Sequence, residues 1–223
     1  NKVVVMEQEI NDLHDLLMDP IFPELDMRLR SGWHCDDEEI EAFDFITRTQ
    51  DKIEMFYELY GYELLYASEG YYFLRPNSSK IKVYTLGVES MIVSQFLALM
   101  RMDPQYLEST GVFDLQELIE KIELTLGKQQ VSRLFLKRKR YKEAASEQDV
   151  LAFQSAIKKA LRELSRYGFV SIDSEFTKIY PRKPIFRFMD PIRNTDNPQA
   201  ALESIVKGEN PFESEEEGDE ADE

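Results

Sequence analysis

The chain has 223 residues and 43% hydrophobic content, enough for one large domain or two small ones, each closing its own core. Its formal net charge is −16, and eight acids with no base fall between Glu213 and Glu223. No apolar run approaches the ~18–20 residues of a membrane span and no basic n-region precedes an apolar stretch, so the sequence reads as soluble and intracellular. The single cysteine, Cys35, excludes an internal disulfide and fits a reducing compartment.

In chain order, FPELDMRLRSG (Phe22 to Gly32) mixes apolar and cationic residues as an amphipathic helix does. It predicts Phe22, Leu25 and Leu29 facing inward and Arg28 and Arg30 outside. The run from His34 to Asp37 can be drawn as a metal site. Neighbouring residues point in different directions, however, and no second His or Cys cluster completes a shell. Asp36 or Asp37 is expected instead to N-cap the next helix. Ile40, Phe43 and Ile46 mark that helix, and Ile53, Phe56, Tyr57 and Tyr60 mark another by their i, i+3, i+4, i+7 spacing. Gly61 stands where a helix stop favours positive φ. Segments 62–67 and 71–75 read as strands turning through Ser68-Glu69-Gly70, and Pro76 ends the hairpin. The aromatics of this acidic half (Trp33, Phe45, Tyr57, Tyr62 and Tyr66) suit a surface for protein contacts, with core packing as the alternative for most of them.

The second half repeats the layout. Val88, Met91, Ile92, Phe96 and Leu99 mark a helix. Asp114 with Glu117 forms a capping box, and Phe113 with Leu118 a hydrophobic staple, for a helix bearing Leu115, Ile119 and Ile122. Ser146 caps a long helix whose buried stripe is Val150, Phe153, Ile157, Ala160, Leu161 and Leu164. Then YGFVSIDSEFTKIYP (Tyr167 to Pro181) follows the plan of YGYELLYASEGYYFLRP (Tyr60 to Pro76): Tyr-Gly, strand, Ser-Glu turn, strand, proline. The strands are expected at 169–173 and 176–180, hinged at Ser174-Glu175.

Helices followed by a hairpin, twice, predict a mainly α fold with β-hairpin wings (α+β), that is, tandem winged-helix domains. The expected limits are 1–85 and 86–190, then a C-terminal helical extension over 191–212 and a disordered acidic tail over 213–223. In such folds the helix before the hairpin is the one that enters the major groove. In the first copy that helix shows Asp51, Lys52, Glu54 and Glu58, and repels phosphate. In the second it shows Lys158, Lys159, Arg162 and Arg166. Just upstream, LFLKRKRYK (134–142) adds Lys137, Arg138, Lys139, Arg140 and Lys142, with Arg133 one turn earlier. These ten cations are the candidate DNA-binding set. Lys and Arg without an array of base-reading side chains imply weak, salt-sensitive, sequence-independent binding. Five phosphate contacts give a log–log salt slope of roughly −4 to −5. The tail reads as a solubilising segment or as a mobile DNA mimic. No phosphate-binding GxxxxGK[ST] loop, HExxH, CxxC pair or GxSxG elbow occurs, so no enzyme activity, cofactor or metal is expected.

Several stretches carry a family likeness. DPIFPELDMRLRSGWH (Asp19 to His34), YYFLRP (Tyr71 to Pro76), FRF (Phe186 to Phe188) and DNPQAALESIVKGE (Asp196 to Glu209) resemble the MukE family in spelling and order. That family comprises the tandem winged-helix (KITE) subunits of bacterial MukBEF condensins, and a MukE-like subunit of a sister condensin is similar enough to fit as well. The resemblance implies a non-catalytic homodimer that binds a MukF-like kleisin subunit and, via the kleisin, a MukB-like SMC ATPase. It implies a cytoplasmic, nucleoid-associated role in chromosome condensation and segregation, with no membrane partner. The basic run falls where the likeness is weakest, through 127–150, so the DNA-binding residues rest on charge alone. Two other readings stay open: a winged-helix transcriptional regulator, and a kleisin adaptor without DNA contact.

Overall fold

The computed structural model describes residues 12–82, 84–102, 111–137 and 147–189. The chain divides into two compact units. The first runs to Thr85 and also takes in Arg166–Gly168 and Arg182–Pro184, while the second holds the remainder from Leu86.

In the first unit, α1 (Leu13–Met18), α2 (Phe22–Arg30), α3 (Ile40–Arg48) and α4 (Gln50–Glu58) accompany β1 (Cys35–Asp36), β2 (Tyr62–Ala67) and β3 (Tyr71–Pro76). The strands form an antiparallel sheet of order β1-β3-β2, with Tyr62 opposite Pro76 and Cys35 opposite Tyr72. In the second unit, α5 (Val88–Met102), α6 (Leu115–Leu134) and α7 (Glu147–Arg166) accompany β4 (Phe113–Asp114), β5 (Val170–Ile172) and β6 (Lys178–Pro181). Its sheet has the order β4-β6-β5. A 3-10 helix follows over Lys183–Met189. Both units therefore share one plan: a short strand before the helices joins the outer side of a hairpin after them. This is an α+β, winged-helix-like fold with two small antiparallel sheets.

The core of the first unit gathers Leu16, Phe22, Leu25, Leu29, Phe45, Ile46, Ile53 and Leu64. In the second, α7 buries Phe153, Ile157, Ala160, Leu161 and Leu164 on one stripe. Each large side chain among them contributes about 1.5–3 kcal/mol by leaving water, which fixes the opposite, polar face outward. The turn after each of α4 and α7 is made by Tyr-Gly, with Gly61 at φ 78 and Gly168 at φ 79.

Several sequence expectations are corrected at the element ends. Val150, placed on the buried stripe of α7, is exposed, as are Ile40, Tyr60 and Val88, which mark their helices by spacing; each sits at or beyond the terminal turn of its helix, where the stripe runs past the core. The helix α5 is buried almost all round, including Ser90, Ser94 and Gln95, as a central helix is. Neither Asp36 nor Asp37 caps α3, because Arg182 takes the Asp36 carboxylate and Lys183 the Asp37 carboxylate. The Asp114 side chain does not cap α6; it pairs with Lys178 at 2.8 Å across the sheet. Gly127, at φ 72 and ψ 159, interrupts α6, a break that the periodicity concealed. Ser146, the expected cap of α7, lies outside the described residues.

Of the two readings of the aromatics, core packing holds for most. Trp33, Phe45 and Tyr57 are core residues, Tyr62 is half-buried and Tyr66 is exposed. Arg28 and Arg30 do not stand free in water. Arg28 lies 3.6 Å over the Trp33 ring and pairs with Glu39 at 3.2 Å, while Arg30 sits 4.6 Å from the Tyr60 ring and pairs with Asp26 at 2.7 Å. Their apolar stems cover the aromatics and their charges are matched locally. Burial pushes the Cys35 thiol up to about 12, so it packs as a small apolar group and is not a nucleophile at neutral pH.

The second wing is shorter than expected, because Asp173 to Thr177 form its turn. The Asp173 carboxylate accepts from the Thr177 hydroxyl at 2.7 Å and from the Thr177 and Lys178 N–H groups at 2.7 and 2.8 Å. These bonds, the Thr177 hydroxyl first, hold its pKa below the usual carboxylate range. Asp173→Ala is expected to speed amide exchange at Thr177 and Lys178 while leaving exchange in β2 and β3 unchanged, as hydrogen–deuterium exchange by NMR will read.

Candidate nucleic-acid interface

The described candidate cations come mainly from two helices, α6 and α7. On α7, Lys159, Arg162 and Arg166 are exposed and Lys158 is half-buried. Lys158, Arg162 and Arg166 fall one turn apart on the helix because each is four residues from the next, so one cationic edge runs along it. The Arg162 guanidinium lies 4.6 Å over the ring of Phe176, at the wing turn. At the helix end, Arg166 approaches the Tyr167 ring at 5.8 Å. Arg133 is exposed in the last turn of α6, where the negative end of the helix dipole favours a cation. Among the described residues, Arg133, Lys158, Lys159, Arg162 and Arg166 form no salt bridge.

Lys137 behaves differently. Its ammonium pairs with Glu89 at 3.0 Å, at the start of α5, so its charge is partly spent within the protein. Burial works against ionising Glu89, but its own backbone N–H and Lys137 outweigh that and hold it below the ordinary range, with Lys159 adding a weaker field. Glu163, four residues along α7 from Lys159, accepts a hydrogen bond from the Ser90 hydroxyl. Arg138, Lys139, Arg140 and Lys142 lie outside the described residues.

The equivalent helix of the first unit has the opposite character. On α4, Asp51 pairs with Lys52 at 3.1 Å, Gln50 holds Glu54 at 2.7 Å, and Met55 is exposed, as is Leu59 just after the helix. This face is acidic and apolar, and its lysine, Lys52, is already matched to Asp51. The two copies share a backbone plan while their outward chemistry has separated.

The residues of the drawn metal run are otherwise engaged. His34 Nδ1 lies 3.2 Å from the Tyr167 carbonyl and its ring stacks on Phe73. Among the described residues no group of three or more His, Cys, Asp or Glu is arranged to hold a metal, and no helix is long and apolar enough to cross a membrane.

Comparison with known proteins decides the family. A model described as the MukE-like family matches residues 10–223. The chain belongs to the MukE-like family. Among its relatives, the chromosome partition protein MukE of Escherichia coli (strain K12) is 32% identical over 197 residues, covering 87% of this chain and 82% of the relative. The chromosome partition protein MukE of Shigella flexneri is 31% identical over 197 residues, 87% of this chain and 86% of its own. That of Histophilus somni (strain 2336) is 28% identical over 213 residues, 92% and 85% respectively. Within this MukE-like chain, charge counting missed Phe176, whose ring lies 4.6 Å beneath the candidate cation Arg162. Its signal was in the repeat, where the first copy reads Ser-Glu-Gly and the second Ser-Glu-Phe.

Proposed function

We infer that this chain is a non-catalytic accessory subunit of a bacterial SMC condensin complex that acts in chromosome partition. It dimerises, binds a kleisin and through it the SMC ATPase, works in the cytoplasm at the nucleoid, and adds sequence-independent contacts to DNA. The observation that carries this reading is family membership over nearly the whole length, with relatives that bear the name chromosome partition protein MukE. Support for the DNA contacts comes from the charge contrast between α4 and α7, the two helices that precede the wings. Among the described residues the cations of α7 form no salt bridge, while α4 is acidic.

Affinity capture of the tagged chain from its own cells, followed by mass spectrometry, tests the assembly. A long coiled-coil ATPase and a kleisin are expected at high yield, and their absence under mild lysis refutes the subunit role. DNA binding by the purified chain should be nearly blind to sequence; a large preference for one palindromic site would instead mark a transcriptional regulator.

A further inference from the structure

The two wings make their turns with the same first two residues and then part. In the first wing Ser68-Glu69 leads to Gly70 at φ 92, the ordinary way to enter left-handed backbone. In the second, Ser174-Glu175 leads to Phe176 at φ 56. A bulky side chain in that region is strained. Elsewhere among the described residues Lys137 is the other non-glycine at positive φ. The turn holds Phe176 there because its N–H donates to the Asp173 carbonyl at 3.1 Å, while the Asp173 carboxylate binds Thr177 and Lys178. Its ring is half-exposed and lies beneath the Arg162 guanidinium. A ring serving only as core filler would be sealed from solvent; this one has a cation on its face.

We propose that Phe176 is a positioning residue, whose ring seats Arg162 beside the second wing so that the guanidinium edge meets a phosphate oxygen of a bound nucleic-acid backbone. The inference rests on the reading of α7 as a nucleic-acid surface. Stacking covers one face of the guanidinium with carbon and leaves its N–H donors in the plane, free to bond outward. An arginine ordered before binding loses less rotamer freedom on contact. The strain at Phe176 is the cost of that order, and the first wing, whose preceding helix α4 is acidic, keeps its glycine.

The test uses the full chain, a labelled mixed-sequence DNA duplex at low salt, and thermal unfolding in parallel. Phe176→Gly relieves the backbone and is expected to leave Tm unchanged or higher, yet to weaken DNA binding about two- to tenfold. Because the charge remains, its salt slope should match the parent. Arg162→Ala is expected to weaken binding further and to reduce the slope by about 0.9. The double variant should bind like Arg162→Ala alone, and Phe176→Trp should retain parental affinity. If Phe176→Gly binds like the parent while Arg162→Ala does not, or if the two losses add, the positioning role falls and the DNA reading stands. If Arg162→Ala and glutamate replacements at Lys158 and Lys159 all bind like the parent, the DNA reading itself falls.

Discussion

Replacing Arg182 with methionine is expected to destabilise the first unit by about 3–5 kcal/mol, read as a fall in Tm of about 6–20 °C in differential scanning calorimetry. The reason is the burial of its partner. Asp36 is 0% exposed, and Arg182 donates to its carboxylate from both Nε, at 3.0 Å, and a terminal nitrogen. The same guanidinium bonds Glu39 at 3.0 Å and lies 3.7 Å from Glu38. Without Arg182 the carboxylate keeps the N–H groups of Glu38 and Lys183 but loses its buried counter-charge. Removing Asp36 as well should recover part of the loss, because the main penalty is an unpaired buried charge rather than the missing attraction. The pH dependence follows from Glu39. Its burial opposes ionisation, but hydrogen bonds from Arg28 and then Arg182 hold its folded pKa below the ordinary 4.5. A depressed folded pKa stabilises fully above the unfolded value and is lost as pH falls through the folded one. The parent should therefore lose Tm below about pH 4.5 more steeply than Arg182→Met, in which one of the bonds holding Glu39 down is gone.

Reversing Lys158, Lys159 and Arg162 together to glutamate is expected to lower affinity for mixed-sequence DNA on the order of a hundredfold at ~0.1 M salt, and to flatten the salt slope by up to about 2.7. Each lost phosphate contact removes about 0.9 from the slope, and the added negative charges repel the backbone. The cost in stability should stay small, on the order of 1 kcal/mol: none of the three forms a salt bridge among the described residues, and what is lost is the stacking of Arg162 on Phe176 and the weak field of Lys159 on Glu89. A reversal of Lys52 on α4 supplies the contrast. That lysine is matched to Asp51, and its loss should leave DNA binding unchanged. Electrophoretic retention and anisotropy titrations at several salt concentrations measure both effects.

Periodicity and punctuation made the larger elements readable. The stripe from Phe153 to Leu164 repeats with the helix, and the Tyr-Gly pairs mark real positive-φ stops at Gly61 and Gly168. The cationic edge of α7 was equally legible, since a spacing of four needs no tertiary contact to be seen. Two-residue strands were not: Cys35–Asp36 and Phe113–Asp114 are too short to carry an alternation, and only pairing with a hairpin makes them strands. Asp36 looked like a helix cap because its neighbours favour one, whereas its partner Arg182 lies 146 residues away. Asp114 was read as half of a capping box for the same reason, and a cross-strand lysine won the carboxylate. Charge counting grouped Lys137 with the other candidate cations because Glu89, from a different helix, is invisible to composition.

The membership of Arg166–Gly168 and Arg182–Pro184 in the first unit has a temporal side. A ribosome adds about 5–20 residues per second, so roughly 5–20 s separate the emergence of Thr85 from that of Arg182. Through that interval the nascent amino-terminal half holds Asp36 without a counter-ion, and the backbone N–H of His34 awaits the Tyr167 carbonyl that it will meet at 3.0 Å. The early half is complete only once Pro184 has been made, so residues 1–85 excised alone are expected to be less stable than the same residues in the full chain.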